Sequence, residues 1–544
     1  MNQTRTFLTF ALLAVAYLLF LAWQGDYAVK PSAASPVATA PAGASSTDGS
    51  VPVAIPGEPA LPVAAASIGQ VSAAPVRGAS QQITVSTDVL DLVLDARGGS
   101  IVRASLPAYP QRAPTHADPR PPATLLLNAD DPTYFVAQSG LVSSSDTTPA
   151  NQPNHLALFQ PGQTSYTLAP GKDKLEVSLT WQGDTGLKVT KTYAFKRGSY
   201  VIDVTQHIDN GSAQTWAGNA YEQLLRAEPP RATSWLKNYI DPENRSFQGA
   251  AWYTGEKFEK LSFKDFAEPK DQLNRSITGG WLAMLRLYFF AAWIPPANQT
   301  AQYVTQTIDA GSAHPRYLIR AIGPALHVAP GQSVDAHARL YVGPNVQGKL
   351  DAVAPGLDLT IDYGMLKIIA VPMHAVLSLL HGLAYNWGVA IILLVLLIKG
   401  LTWQQATMEL YKKEKVNPMG GCLPVLITLP VFYGLFYVLE YSLELRHAAF
   451  LWIPDLSAPD PFYILPIIYA IVMLGTQWLN PVAVGMDPTQ AKMMKVMPLL
   501  FTVVFAFFPS GLCLYYAVNG IVGLGQQWWV THHVDRESPA TKPA

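Results

Sequence analysis

The sequence predicts a polytopic α-helical membrane protein with six spans and a large antiparallel β-sandwich domain outside the membrane. Three observations carry this prediction. Apolar runs near spanning length crowd the chain after Tyr385, and one more lies at its start. Between them, from about Gln81 to Gly343, apolar and polar residues alternate with period two. Charged residues make up 14% of the 544 and hydrophobic ones 49%, the balance of a membrane protein with a sizeable soluble part. A formal net charge of −1 leaves no global basic field for nucleic acid.

Residues 1–24 form the first span. Phe7 to Trp23 is apolar and follows a single basic residue, Arg5. The bulky Trp23-Gln24 pair stands where a small-x-small cleavage site would be, so an uncleaved signal anchor is favoured over a removed signal peptide. Residues 25–80 are rich in Ala, Pro and Ser, bury too little apolar area to offset ordering entropy, and read as a disordered linker.

Residues 81–345 read as the sandwich. Ile83–Val89, Leu175–Trp181 and Tyr200–Ile208 alternate as half-buried strands do, and Arg97-Gly-Gly99 and Asp209-Asn-Gly211 supply turns. No long amphipathic helices alternate with them, which argues against a parallel α/β sheet. Trp281 to Ile294 is apolar but broken by Arg286 and too short to span; it reads as one buried strand.

Residues 346–384 are a connector and an amphipathic helix. Ile361, Met365, Ile368, Ile369, Val376, Leu379 and Leu380 recur at helical spacing among Asp362, Lys367 and His381, as in a helix lying in the membrane interface. Residues 385–531 then hold five spans: Trp387–Leu401, Gly421–Leu439, Phe462–Leu479, and a stretch from Val496 to Val530. As one helix those last 35 residues would reach about 52 Å, well past a hydrocarbon core of about 30 Å. A break at Phe508-Pro-Ser-Gly511 divides them in two. Residues 532–544 are a short tail. Lys412, Lys413, Lys415, Lys492 and Lys495 fall on the side of Arg5, while Glu440, Glu444, Asp455 and Asp460 fall on the other. The positive-inside rule makes both termini cytoplasmic and the sandwich periplasmic.

Catalytic signatures are missing from the sequence. The histidines of the sandwich, His155 and His207 among them, lack metal-ligand spacing, and no nucleophile elbow or phosphate loop occurs in a supporting context. His374 and His381 are seven apart on one helix; without a third ligand they read as surface residues. Cys422 and Cys513 sit in apolar runs and read as buried and inert. No metal, no cofactor and no enzyme chemistry are expected. The unusual polar groups are in the membrane half: Lys399, Thr428, Tyr433, Tyr515, Tyr516, Asn519, Gln526 and Gln527 lie in or beside spans. A cation at a helix centre costs about 2.5–3.5 kcal/mol on insertion scales. Lys399 therefore either snorkels to the headgroups or faces a wet cavity between helices. Its polar companions favour the cavity.

Ordered motifs then narrow the reading. Asn386-Trp-Gly-Val-Ala-Ile-Ile392, Leu410-Tyr-Lys-Lys-Glu-Lys-Val-Asn-Pro418, Gly420-Gly-Cys-Leu-Pro424, Asp487-Pro-Thr-Gln-Ala-Lys492 and Phe508-Pro-Ser-Gly-Leu512 follow one another. This series resembles the bacterial YidC branch of the Oxa/Alb family of membrane-protein insertases, over nearly the whole chain. The resemblance implies a five-helix insertase core around a hydrophilic groove. Its basic residue, here Lys399, receives the polar part of a nascent inner-membrane protein. It also implies work alone or beside the Sec translocon, in contact with the lipid bilayer. A ribosome contact is weakly supported, since the tail after Thr531 carries no basic run.

Three departures stand out. Val395 replaces a common threonine, and Thr428 a common glutamine. A charged helical hairpin that relatives place after the basic residue gives way to the direct run Gly400–Leu410. Two alternatives stay open: a membrane-anchored periplasmic carbohydrate-binding or carbohydrate-modifying protein, and an insertase-fold copy impaired by loss of that hairpin.

Overall fold

Two stacked sheets dominate the computed structural model, one of ten strands and one of nine. The structure describes residues 51–52, 80–114, 118–144, 152–230, 234, 241–268, 272–312, 314–361, 363, 367–401, 433–479, 502–503 and 505–537. The expected anchor, nearly all of the linker, Cys422 and Thr428 lie outside them. The first sheet runs from an edge at Asn274–Thr278 to an edge at Ser165–Thr167, and the second from Phe258–Ser262 to Gln160–Pro161. Pairing is antiparallel except where Gln82–Ser86 meets Ser165–Thr167.

Alternation fixes the register. Strand Lys174–Gln182 points Val177, Leu179 and Trp181 inward, opposite Tyr193, Lys191 and Val189 of strand Leu187–Lys196. A one-residue slip would turn these side chains to solvent. The core between the sheets collects Ile83, Leu94, Phe135, Phe195, Phe289 and Trp293.

One expectation needs correcting. Trp281 to Ile294 is not a single strand but a hairpin, Trp281–Leu285 and Phe289–Ile294, reversing at Arg286. Both of its faces are covered, which removes the polar alternation that would have marked the turn. Leu282, Met284 and Phe289 enter the sandwich core. Trp281, Ala283 and Phe290 instead join a second core shared with the helical part. Arg286, the interruption, pairs with Glu243 at 2.8 Å.

Five helices of a full turn or more follow among the described residues. Helix α1 (Lys367–Ala384) buries Ala370, His374 and Leu377 and exposes Ile368, Leu379 and Leu383. By length and composition it could cross a membrane, and among the described residues it alone meets that test. Helices α2 (Trp387–Leu401) and α4 (Ile464–Leu479) are shorter and apolar. Between them lies α3 (433–441), and α5 (Ser510–Glu537) ends the described chain.

Their starts have identifiable causes. The Asn386 side chain accepts the Val389 N–H at 3.1 Å ahead of α2. Asp460 accepts from Phe462 and Leu465 backbone N–H groups ahead of α4, at 3.1 and 2.8 Å. Helical geometry lapses at 506–509, where Pro509 cannot donate, and resumes at Ser510. Ser510 and Gly511 there donate their N–H groups to Ala458 and Leu456 carbonyls, at 2.7 and 2.9 Å. His374, expected at the surface, is buried 3.8 Å from Glu444, and His381 stacks on Trp387.

The loop after α3 joins the helices to the sandwich. Leu443 is part of the sandwich core. The Tyr288 hydroxyl donates to the Glu440 carbonyl at 2.8 Å. Arg446 donates to Pro110 and Gln111 carbonyls at 3.3 and 3.2 Å, with its guanidinium over the Tyr288 and Phe289 rings.

Candidate functional site: a lysine between helices

Helix α2 carries Lys399 in its last turn. Ala390, Ile391, Leu394 and Val395 are buried on the packed side of this helix, whereas Leu396 and Leu397 are exposed. Lys399 is half-buried and leans toward α5: a Cβ built at Gly523 would lie 3.4 Å from its Nζ. Glycine there leaves the ammonium room. Among the described residues Lys399 makes no hydrogen bond or ion pair. A lysine normally directs its three donors to acceptors or water. Among the described residues neither a carboxylate nor a carbonyl meets this one.

Helix α5 holds four of the other predicted groove residues. At 100° per residue, Tyr515, Asn519 and Gln526 fall on one strip of it, beside Gly523. They differ in depth. Tyr515 is buried in the apolar cluster shared by the helices, Asn519 is half-buried and Gln526 is exposed. Tyr516 packs edge-on to Phe505 and Tyr469, so its ring belongs to an aromatic core. Tyr433, on α3, is about half exposed. Lys399 thus meets α5 at Gly523, with Asn519 and Gln526 about one turn to either side on the same strip and Tyr515 farther along it. Gly523 itself escaped the sequence reading, although three glycines at 520, 523 and 525 interrupt an otherwise bulky helix.

A second polar group lies inside the sandwich, where scattered histidines suggested nothing. Lys191 is fully buried and donates to the carbonyls of Gly98 and Ser139, both at 2.7 Å. Its ammonium also lies 5.2 Å from the Phe159 ring centre. Burial lowers the Lys191 pKa to about 7, opposed by nearby Glu222. Burial raises Glu222 to about 8, opposed by Lys191. His155 Nδ1 sits 2.6 Å from the Tyr221 hydroxyl. Burial, then the charges of Arg320 and Lys191, hold its pKa down at about 3. A histidine and a glutamate are present, and both are buried. No group of three His, Cys, Asp or Glu among the described residues could hold a metal ion.

Comparison with known proteins agrees with this architecture. Residues 82–376 match the family description of the YidC periplasmic domain, and residues 401–537 that of the 60Kd inner membrane protein. A membrane protein insertase YidC of Stenotrophomonas maltophilia strain R551-3 is 42% identical, over 99% of this chain and 98% of its own. One from Pseudomonas fluorescens strain Pf0-1 is 39% identical across the full length of both chains. That alignment runs over 590 positions, so the relative carries stretches that these 544 residues lack. Among solved structures, an active YidC insertase with the first transmembrane domain resolved shares 16% identity, covers 84% of this chain and 94% of its own, and has a TM-score of 0.33. The chain belongs to the YidC family of membrane protein insertases.

Proposed function

We propose that this protein inserts nascent proteins into the inner membrane, with Lys399 as the charge that receives their polar segments. The observation that carries this reading is an ammonium without a partner among the described residues, half-buried between α2 and α5, with Gly523 keeping space beside it. A hydrated recess at that depth shortens the apolar path of a hydrophilic segment, and a cation there attracts acidic residues. Apolar segments of the client then partition into lipid at about 25 cal/mol per Å² buried. Asn519 and Gln526, on the strip of α5 beside Gly523, are the polar side chains nearest in register to that ammonium, with Tyr433, Tyr515 and Tyr516 on the surrounding helices; Thr428 lies outside the described residues. No covalent bond changes.

The reading extends to topology and partners. Six spans place both termini in the cytoplasm and the sandwich in the periplasm. Domain limits are those of the sequence: anchor 1–24, linker 25–80, sandwich 81–345, connector and interfacial helix 346–384, core 385–531 and tail 532–544. The exposed apolar side of α1, with Ile368, Leu379 and Leu383, suits the lipid interface. The Sec translocon is the partner for larger clients, and the ribosome a weak one.

The test is insertion of a short client into proteoliposomes holding only this protein, read by protease protection. Lys399→Ala should lower insertion of clients with acidic translocated segments about fivefold, the about 1 kcal/mol expected of a hydrated charge pair. Lys399→Arg should restore it. Equal loss for neutral and acidic clients would discard the charge. Insertion absent in the wild type but gained on grafting a relative's hairpin after Gly400 would favour the impaired-copy reading.

A further inference from the structure

Both sheets end at one corner of the sandwich in strands that, among the described residues, have a strand partner on one side only. Phe258–Ser262 is the edge of the nine-stranded sheet and Asn274–Thr278 the edge of the ten-stranded one. A cleft of about 730 Å³ lies between them, lined by Trp252, Glu259, Lys260, Asp265, Asn274 and Arg275 among others. Glu259 and Arg275 form an ion pair across it, tying the two edges together. Trp252 is cross-strand partner to Glu259 and is 4% exposed, and its indole N–H has no acceptor among the described residues. A buried donor left without an acceptor costs about 1–3 kcal/mol, so an occupant offering one would be held.

We propose that this cleft binds an extended polypeptide segment along the free strand edges, with an acceptor atom of the segment taking the Trp252 indole N–H. Edge strands present backbone donors and acceptors in strand spacing, which is what an added strand matches. Carboxylates and cations interleave around the cleft, suiting a chain that carries both signs. A sugar is disfavoured because its usual platform is an open aromatic face, and the faces of Trp252 are covered. The proposal rests on the insertase reading in one respect: polypeptide delivered to the periplasmic side is there the extended partner.

The experiment uses the full chain in nanodiscs and a fluorescein-labelled Thr/Val peptide of about ten residues, one strand's length, followed by anisotropy. Binding is expected. Trp252→Phe, which keeps the ring and removes the N–H, should weaken it about fivefold. The same peptide N-methylated at alternate residues should not bind to the wild type. That arm keeps the test decisive if Trp252→Phe fails to fold. No binding, equal binding of the N-methylated peptide, an unchanged affinity in folded Trp252→Phe, or displacement by chitotriose would each overturn the proposal. Lys399→Ala should bind the peptide as the wild type does. Lost insertion with retained peptide binding would therefore sink the groove alone, and the reverse would sink the cleft alone.

Discussion

Lys191 and Lys399 are the same side chain in two enclosures. Inside the sandwich, Lys191 is fully buried and its donors are taken by two carbonyls and an aromatic face. Between α2 and α5, Lys399 is half-buried and meets no acceptor among the described residues. The first arrangement uses a buried amine to tie a distant turn and a distant strand, since Gly98 and Ser139 lie 93 and 52 residues before it. The second leaves the charge available. Burial alone therefore does not separate the two lysines; what their donors meet does.

The largest expected effect breaks the comparison on its structural side. Lys191→Met should destabilise the sandwich by roughly 3–5 kcal/mol, because two buried carbonyls and Glu222 lose their cation. Lys399→Met should leave the same unfolding transition unmoved. Urea titration of the full chain in detergent, followed by the β-sheet circular dichroism signal, reads both. Equal stability of the two variants would remove the distinction.

The next effect concerns the neighbourhood of Lys191. His155 is held neutral, with a folded pKa near 3 against about 6.5 when unfolded. Below pH 6.5 the unfolded chain binds a proton that the folded chain refuses, so stability falls as pH drops from about 6.5 towards 3. The slope from this one group approaches 1.4 kcal/mol per pH unit. His155→Gln cannot titrate and should flatten that acid limb, seen as a smaller change in Tm between pH 6.5 and 4. An unchanged limb would mean that His155 is charged inside the fold.

These two clusters were unequally legible. Lys399 declares itself in sequence because it closes the uncharged run Trp387–Ile398. Lys191 shares the inward phase of strand Leu187–Lys196 with Val189, Tyr193 and Phe195, but an amphipathic stem on a strand reads as an exposed residue until its partners are known. Those partners come from far along the chain, as do the Arg446 acceptors, more than 330 residues earlier. Period two exposed the strands at Leu175 and Tyr200, yet missed the Arg286 turn because cover on both faces erases the pattern. Gly523 had no signal beyond being glycine; only the approach of Lys399 gives it meaning.

The smallest effect sharpens the functional side. Gly523→Ala adds a methyl group 3.4 Å from Lys399 Nζ, at ordinary contact distance, so the helix pair need not move. Alanine is also better than glycine in a helix interior by about 0.8–1.0 kcal/mol, and α5 should become slightly more stable. The methyl nonetheless displaces water or client from beside the ammonium. Insertion of acidic clients should fall about twofold while that of neutral clients holds, an effect of about 0.4 kcal/mol. Stability rising while charge-dependent insertion falls is a combination that damage to the fold cannot produce. If insertion follows stability upward instead, the space beside Gly523 plays no part in receiving clients.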